Sequence, residues 1–419
     1  MQQPYLSICI FTYNRWENLS RCLESIFSHP EVDTGKIEVV VSDNASSDNT
    51  ESICREYEKK YSCFKYFRHS TTVPAGDNLV YALSYGTGEL LKLCKDTMIF
   101  QPGALAFLCE AIEKYRATKP LLWFSNGRLP ARQRLIVEGN VPSKFVQLTS
   151  CHVTDVSAMA VWRKDWLGLE NELPIIRGSS FGHVKKICEC LSNNPKWVIV
   201  HKKIHTLILP LGKDVSYGIY NVFYKDFISI LNKYKEQGTI TTEAVEKVRY
   251  DLLMQTFTYF IIGYTFHYPQ YKFSQKENLR EEIFNAYKNE IYFDDFRQKL
   301  SLLEKTLQVE YKRLYDFCST VRKTYLYGAG EGAQVVRDYL EKRGIKIAGY
   351  IVSPGHKLLE EISGIQVFEV DNFKVDIADA GIVITVGTKL QKEIIDGLNK
   401  RGYKDNIFIQ KIFDMWNLE

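Results

Sequence analysis

The sequence predicts an α/β protein built on a mostly parallel sheet flanked by helices, followed by a helical connector and a small second α/β domain. Three apolar segments in the first hundred residues end in polar residues, at Leu6–Arg15, Ile37–Asn49 and Glu89–Thr97. Stretches with apolar residues at helical spacing separate them, and this alternation indicates a parallel sheet with covered faces. The carboxyl ends of such strands are where open α/β sheets bind nucleotides.

The composition narrows the class of protein. A chain of 419 residues should hold two or three domains, and 45% hydrophobic with 25% charged residues is ordinary for a globular protein. A net charge of +4 argues against a nucleic-acid partner, which usually requires a strong basic excess. It leaves peripheral contact with an anionic membrane surface open.

The cysteines and the apolar runs indicate a cytoplasmic location. None of the ten cysteines forms a Cys-x-x-Cys pair, which argues against structural zinc. Met1-Gln-Gln-Pro4 leads into a strand without the basic and apolar regions of a signal peptide. No run approaches the roughly 20 apolar residues of a membrane span. We therefore expect a cytoplasmic protein with at most peripheral contact at the inner face of the membrane.

The first predicted domain covers residues 1–215. A helix follows the first strand, with Leu19, Leu23 and Ile26 at helical spacing. Asp48-x-x-Glu51 predicts the start of a second helix and Gly76–Tyr85 a third. Further strands are predicted at the segments Leu121–Ser125, Val156–Trp162 and Trp197–Val200.

Two more regions complete the predicted organisation. Residues 216–322 are aromatic-rich and helical in pattern, which predicts a connector. Residues 323–419 return to strand–helix alternation, and the turn Gly328-x-Gly330-x-Gly332 after a strand predicts a Rossmann-like domain with a second nucleotide-type loop. The next strand ends at Ser353 without the acid that would hold a ribose. A dinucleotide, a sugar nucleotide or no ligand all stay open here.

Residues 4–210 resemble the family 2 glycosyltransferases of the GT-A fold. The resemblance rests on Phe11-Thr-Tyr-Asn-Arg15, on Val41-Ser-Asp-Asn-Ala-Ser-Ser-Asp-Asn-Thr50 and on the strand ending in Lys95-Asp-Thr97. It implies an enzyme that moves a sugar, with inversion, from a nucleotide-diphosphate donor to a saccharide or lipid-linked saccharide. It points to UDP as the nucleotide and to bacterial surface or capsular polysaccharide synthesis as the role.

The resemblance also implies a set of residues that bind the nucleotide sugar. A nucleobase needs a flat contact and a diphosphate needs amide and guanidinium donors. The family's aspartate after the second strand, here Asp43, accepts a hydrogen bond from the base. The positions that match are Thr12, Tyr13, Asn14, Arg15, Asp43, Ser46, Gly76, Asn78, Lys95 and Asp96.

The third strand end departs from the family pattern. Family members usually place two or three aspartates there to bind Mg²⁺ or Mn²⁺, whereas this chain has Lys95-Asp96-Thr97. A single carboxylate is a poor site for a hard dication. Metal held through Asp96, partial replacement of metal by Lys95, and an inactive site are all consistent with this tripeptide. We expect retained activity with weaker or altered metal dependence.

Inversion requires a general base that deprotonates the acceptor hydroxyl, and two residues compete for this role. In the family the base is commonly a carboxylate at the start of a helix, and His183 takes that place here. A histidine of near-neutral pKa suits proton transfer. Asp155, ahead of the segment Val156–Trp162, is the rival.

Other functions remain as alternatives. The C-terminal glycine turn leaves an NAD(P)-dependent sugar-modifying oxidoreductase open, and the altered metal motif leaves an inactive sugar-nucleotide-binding scaffold open. Nucleotidyl transfer is disfavoured because the loop at residues 11–16 contains no glycine. Formation of a homo-oligomer stays open.

Overall fold

A computed structural model describes residues 3–127, 129, 135–167, 180–207, 213–215, 218–268, 271–273, 278–357 and 360–408. The chain divides into two compact units, residues 1–208 with 221–251, and residues 209–220 with 252–419. The predicted domain boundaries at residues 215 and 322 stay predictions. Ser179, at the start of the predicted helix before His183, lies outside the described residues.

The first unit is built around an eight-stranded sheet. The strands β1–β10 of this unit are Leu6–Thr12, Ile37–Asp43, Phe64–Arg68, Leu90–Lys95, Met98–Phe100, Leu121–Phe124, Ile136–Gly139, Met159–Trp162, Trp197–Val200 and His205–Leu207. Eight of them form this sheet, and β5 and β10 form a separate antiparallel pair. The helices α1–α9 of this unit are Trp16–Phe27, Thr50–Lys60, Ala75–Ser84, Ala104–Tyr115, Pro142–Thr149, Arg163–Leu167, Gly182–Asn193, Phe227–Glu236 and Thr242–Asp251.

The strand order explains where polar loops gather. The sheet runs β3-β2-β1-β4-β8-β6-β9-β7, and the first four strands of this order are mutually parallel. Strand β8 is antiparallel to both β4 and β6. The loops that follow β2, β1 and β4 therefore leave the same edge of the sheet side by side.

The sheet is held by apolar side chains on both faces. Ile8 and Cys9 are consecutive residues that point to opposite faces of the sheet, and both are fully buried, as a parallel strand covered on both faces requires. Leu19 and Leu23 of α1 pack into the same core at helical spacing. The predicted mostly parallel sheet flanked by helices is confirmed.

A short 3₁₀ turn replaces the beginning of one predicted strand. Residues Val156–Ala158 form this turn, and strand β8 begins only at Met159. Asp155 caps the turn because its side chain accepts a hydrogen bond from the Ser157 backbone amide. The cap directs Asp155 to the edge where β4 ends.

The second unit contains a separate sheet of six strands. Strands β11–β18 are Lys213–Asp214, Tyr271–Lys272, Lys323–Tyr327, Ile347–Val352, Glu361–Ile362, Ile365–Glu369, Ala380–Ile384 and Asn406–Phe408. The sheet has the order β15-β16-β14-β13-β17-β18, and all its strand pairs are parallel except β15 with β16. Helices α10–α14 are Thr258–Thr265, Leu279–Tyr287, Phe293–Thr320, Glu331–Glu341 and Thr388–Lys400. Across the described parts of both units, no helix combines the length and apolarity needed to cross a bilayer.

Candidate active site

The candidate site lies at the carboxyl ends of three adjacent strands. Thr12 at the end of β1 pairs in register with Asp43 at the end of β2. On the other side of β1, Phe11 pairs with Lys95, the last residue of β4. Parallel register alone therefore places the three polar segments of the sequence next to one another.

Asp96 is enclosed by residues of the first loop. Its Oδ2 accepts a hydrogen bond from the Thr12 hydroxyl at 2.8 Å and lies 2.9 Å from Nε of Arg15. The contact with Arg15 is an ion pair rather than an aligned hydrogen bond, since this Nε has no hydrogen-bond acceptor among the described residues. Burial raises the pKa of Asp96, although Arg15 and Thr12 oppose this effect.

The loops after β1 and β2 are joined by hydrogen bonds from backbone amides to side-chain oxygens. The Asn14 amide donates to Oγ of Ser46 at 2.9 Å, and the Ser47 amide donates to Oδ1 of Asn14 at 2.8 Å. Asn14 and Ala45 both have left-handed backbone conformations, with φ of 49° and 60°. Asparagine tolerates this region better than most residues, so Asn14 can turn the chain and join the two loops.

Asp43 is fully buried and surrounded by donors from its own unit. Its Oδ1 accepts from the amide and hydroxyl of Ser46 at 2.9 and 2.5 Å. Its Oδ2 accepts from the Tyr66 hydroxyl at 2.7 Å and lies 3.5 Å from Nε of Arg68. Sequence reasoning missed Tyr66 and Arg68, because it did not predict the strand β3 that carries them.

The other residues predicted to bind the nucleotide sugar differ in how exposed their side chains are. Tyr13 is 45% exposed and offers a flat ring beside the strand ends. Asn78 is buried, and its Nδ2 donates to the carbonyls of Thr12 and Ser42 at 3.3 and 3.2 Å, so it ties β1 to β2. Gly76 lies exposed in the first turn of α3.

Lys95 connects the end of β4 to Asp155. Its Nζ lies 3.3 Å from Oδ1 of Asp155, which also accepts from the hydroxyl of Ser157 at 2.7 Å. Lys95 is 32% exposed whereas Asp155 is nearly buried. The structure therefore brings one of the two candidate bases into contact with the altered metal motif.

His183 is buried, and it contacts the residue that precedes Asp155. Its Nε2 is 3.0 Å from the carbonyl oxygen of Thr154, which fixes this nitrogen as the protonated donor. Burial lowers the pKa of His183 from 6.5 to about 4. A histidine with so low a pKa is a weak base at neutral pH.

Sequence reasoning also missed Lys92. This lysine is fully buried, and its Nζ donates to the carbonyls of Leu93, at 3.1 Å, and of Ser157. Burial lowers its pKa. The signal in the sequence was a lysine inside the apolar strand β4. Through its hydrogen bond to the Ser157 carbonyl, Lys92 holds the turn that Asp155 caps.

The residues around Asp96 do not provide a suitable set of ligands for a divalent cation. Magnesium and manganese require several oxygen ligands, most often from more than one carboxylate. Oδ2 of Asp96 already contacts Arg15 and Thr12, and Oδ1 is enclosed without a partner among the described residues. The described part of the chain contains no group of three or more His, Cys, Asp or Glu arranged to hold a metal ion.

The glycine loop of the second unit follows β13, where the strand order of its sheet reverses. Gly328 has a φ of 116°, and a Cβ there would lie 2.7 Å from Oγ1 of Thr385. Gly330 precedes the first residue of α13 and Gly332 lies in its first turn. The strand β14 is followed by Ser353, which contacts the Tyr327 hydroxyl at 3.2 Å. A ligand-binding role for these glycines stays a prediction.

Sequence comparison identifies one matching family and several relatives of the chain. Residues 7–138 match the family model "Glycosyl transferase family 2". The abequosyltransferase RfbV of Salmonella typhimurium is 34% identical over 197 residues, which are 43% of this chain and 59% of that protein. The GalNAc(5)-diNAcBac-PP-undecaprenol beta-1,3-glucosyltransferase of Campylobacter jejuni is 31% identical over 109 residues, 26% of this chain and 34% of that protein. The chain thus spans about a third to three fifths of the length of these two relatives.

Solved structures were found at low identity. TarS of S. aureus, residues 1–349 in complex with UDP-GlcNAc, is 17% identical with a TM-score of 0.47, covering 69% of this chain and 81% of that one. The mannosyltransferase PcManGT of Pyrobaculum calidifontis, in complex with GDP-Man and Mn²⁺, is 14% identical with a TM-score of 0.43, covering 60% and 71%. The assignment rests on the family match over the segment that carries Thr12, Asp43 and Asp96. Residues 7–138 of this chain are therefore similar to glycosyl transferase family 2.

Proposed function

We propose that the chain is an inverting glycosyltransferase that uses a nucleotide-diphosphate sugar. The observation that carries this proposal is the convergence of Thr12, Asp43 and Asp96 at adjacent strand ends within a family 2 segment. Such an edge of an open α/β sheet is where nucleotides bind. The exposed ring of Tyr13 offers a stacking surface for the base.

The reaction is a single displacement at the anomeric carbon of the donor sugar. The acceptor oxygen forms a bond to that carbon while the bond from the carbon to the diphosphate oxygen breaks. The electron pair leaves with the diphosphate, and the acceptor proton passes to the general base. The developing negative charge on the diphosphate requires fixed positive charge nearby.

Asp155 is the preferred general base in this proposal. It is a carboxylate placed next to Lys95 at the end of β4, so it lies beside the predicted donor site. His183 is buried and its Nε2 donates to the Thr154 carbonyl, so the ring is enclosed away from an acceptor hydroxyl. We therefore assign His183 a positioning role, in which it holds the segment that carries Asp155 through the Thr154 carbonyl.

The substrate classes follow from the relatives. The name of the Campylobacter protein specifies an undecaprenol-linked glycan acceptor, which supports a saccharide or lipid-linked saccharide as the acceptor here. UDP is the nucleotide proposed first, in a role in bacterial surface or capsular polysaccharide synthesis. We place the enzyme in the cytoplasm, with at most peripheral contact at the inner face of the membrane, where its ten cysteine thiols would stay reduced.

A turnover assay tests the proposal. The purified full-length chain is incubated with UDP-, GDP-, CDP- and dTDP-sugars, and release of the nucleoside diphosphate is measured against Asp155→Asn as a matched control. Release that depends on Asp155, from one nucleotide class above the others, is the expected result. No release from any donor, with or without added saccharide acceptors, would contradict the proposal.

A further inference from the structure

Positive charge surrounds Asp96 where a cation site would need negative charge. We propose that the guanidinium of Arg15, together with the ammonium of Lys95, neutralises the donor diphosphate in place of a divalent cation. This inference rests on the proposed function, and it concerns how the same site meets the charge of its substrate. It follows from the misfit between the residues around Asp96 and a metal ion.

The carboxylate of Asp96 already has a cationic partner. Nε of Arg15 lies 2.9 Å from Oδ2, and the Thr12 hydroxyl donates to the same oxygen at 2.8 Å. The other oxygen, Oδ1, is enclosed in the protein. A dication would have to displace Arg15 or share one carboxylate oxygen with it, and hard cations require several oxygen ligands.

Arg15 is held in place with its charge accessible. The side chain is 37% exposed, so the guanidinium can meet a ligand at the sheet edge. Its Nε is buried without an aligned acceptor among the described residues. Arg15 also immediately precedes α1, a helix of 12 residues whose amino end adds partial positive charge in the same place. A planar guanidinium binds phosphate oxygens in pairs, which orients the diphosphate as well as neutralising it.

Lys95 supplies the second charge. Its side chain is 32% exposed, and the 3.3 Å contact with Asp155 is long for a charge-assisted hydrogen bond. Arg15 and Lys95 already balance the carboxylates of Asp96 and Asp155, so the strand end has no excess negative charge to attract a dication. A diphosphate, in contrast, would meet the exposed parts of both cationic side chains.

Calorimetric titration of the full-length chain tests the inference. The ligand is whichever of UDP, GDP, CDP and dTDP binds most tightly, titrated once in EDTA and once in excess Mn²⁺. We expect the two dissociation constants to agree within about threefold. In EDTA, Arg15→Gln should weaken binding by about tenfold or more, the effect of losing a hydrogen bond to a charged group. Arg15→Lys should lose less, since it keeps the charge.

Arg21→Gln is the matched control because it removes the same charge further along the same helix, and its affinity should stay within about threefold of wild type. Binding at least about tenfold tighter in Mn²⁺ would overturn the inference while leaving the proposed function intact. So would an Arg15→Gln variant, folded by circular dichroism, that binds like wild type. If no nucleoside diphosphate binds in either buffer, the proposed function fails and this inference fails with it.

Discussion

At the scale of single residues, Asp155 lies between the end of β4 and the start of β8. It contacts Lys95 from β4 and caps the turn before β8 through Ser157. Lys92 supports the same turn from below through the Ser157 carbonyl. The contacts with Ser157 hold the carboxylate in one place, which suits the general base that we propose.

Removing the carboxylate charge should separate binding from turnover. Asp155→Asn is expected to lower kcat by at least about 100-fold, the usual effect of losing a general base. Nucleotide affinity should stay at least as high as in wild type, because the substitution leaves the ammonium of Lys95 without its carboxylate partner. Steady-state kinetics with parallel calorimetry measures both. A kcat within a few-fold of wild type would remove Asp155 from the reaction.

His183 should make the folded state sensitive to mild acid. Its pKa is about 4 in the folded state against 6.5 in the unfolded chain, so the unfolded chain binds more protons between these values. The free energy of unfolding therefore falls as pH decreases from about 6.5 towards 4. The loss from this residue is about 1 kcal/mol at pH 5.5.

His183→Gln removes the titrating group and keeps an amide donor for the Thr154 carbonyl. Urea unfolding at pH 7 and 5.5 should show a pH dependence about 1 kcal/mol smaller in this variant than in wild type. Equal pH dependence in the two proteins would show that His183 is not buried in its neutral form. Turnover of the variant should stay within about tenfold of wild type at pH 7, since we assign His183 a positioning role.

At the scale of elements, the loops after β1 and β2 form one unit through Asn14. Asn14→Gly keeps the left-handed conformation but removes the acceptor of the Ser47 amide, at an expected cost of about 1 kcal/mol. Asn14→Ala removes the same acceptor and adds roughly 1 kcal/mol of backbone strain. Urea unfolding should therefore rank wild type above Asn14→Gly and Asn14→Gly above Asn14→Ala. An alanine variant as stable as wild type would show that the loops do not depend on this residue.

At the opposite edge of the sheet, Glu38 joins β1, β2 and β3. It accepts from the Ser7 hydroxyl at 2.6 Å, from Lys65, and from the amide and hydroxyl of Thr87 at 2.7 Å each. Burial by itself raises the pKa of Glu38, but these hydrogen bonds outweigh it and leave the pKa lowered. The stabilisation is thus complete above the unfolded pKa of about 4.3 and is lost as pH falls through the lower folded value.

Glu38→Gln should consequently be less stable than wild type at pH 7, by about 1 to 3 kcal/mol for a buried charged hydrogen-bonding group. The difference should shrink as both proteins are taken below pH 4, because protonation of Glu38 removes the same charge from wild type. Chemical unfolding across this range measures the gap between the two proteins. A gap that stays constant would mean that the Glu38 carboxylate contributes nothing through its charge.

The elements of the sheet edge could be predicted because their signals are local. Apolar runs such as Ile37–Val41 and the polar residues after them predicted β1, β2 and β4 with their loops. Strand β3 and the turn at Val156–Ala158 were not predicted. Phe64–Arg68 mixes aromatic and basic residues in an edge strand, and the turn depends on Lys92, 65 residues away from Ser157.

At the scale of the whole molecule, local sequence could not give the contacts that define the site. The ion pair between Arg15 and Asp96 and the contact between Lys95 and Asp155 join residues far apart in the chain. The family resemblance supplied candidate positions, and the family match confirmed it for residues 7–138. It did not supply the burial of Asp43 or the low pKa of His183, because both arise from packing against other elements.

Ligand-dependent thermal unfolding tests most directly whether the loops at Tyr13, Asp43 and Asp96 bind a nucleotide. The full-length wild type and Tyr13→Ala are heated with UDP, GDP, CDP or dTDP. A ligand that binds only the folded state stabilises it by about 2.7 kcal/mol at a hundred times its Kd. We predict that one nucleotide raises the Tm of wild type clearly above the other three, and that Tyr13→Ala loses most of this rise. No rise with any nucleotide, or an equal rise in both proteins, would contradict the account.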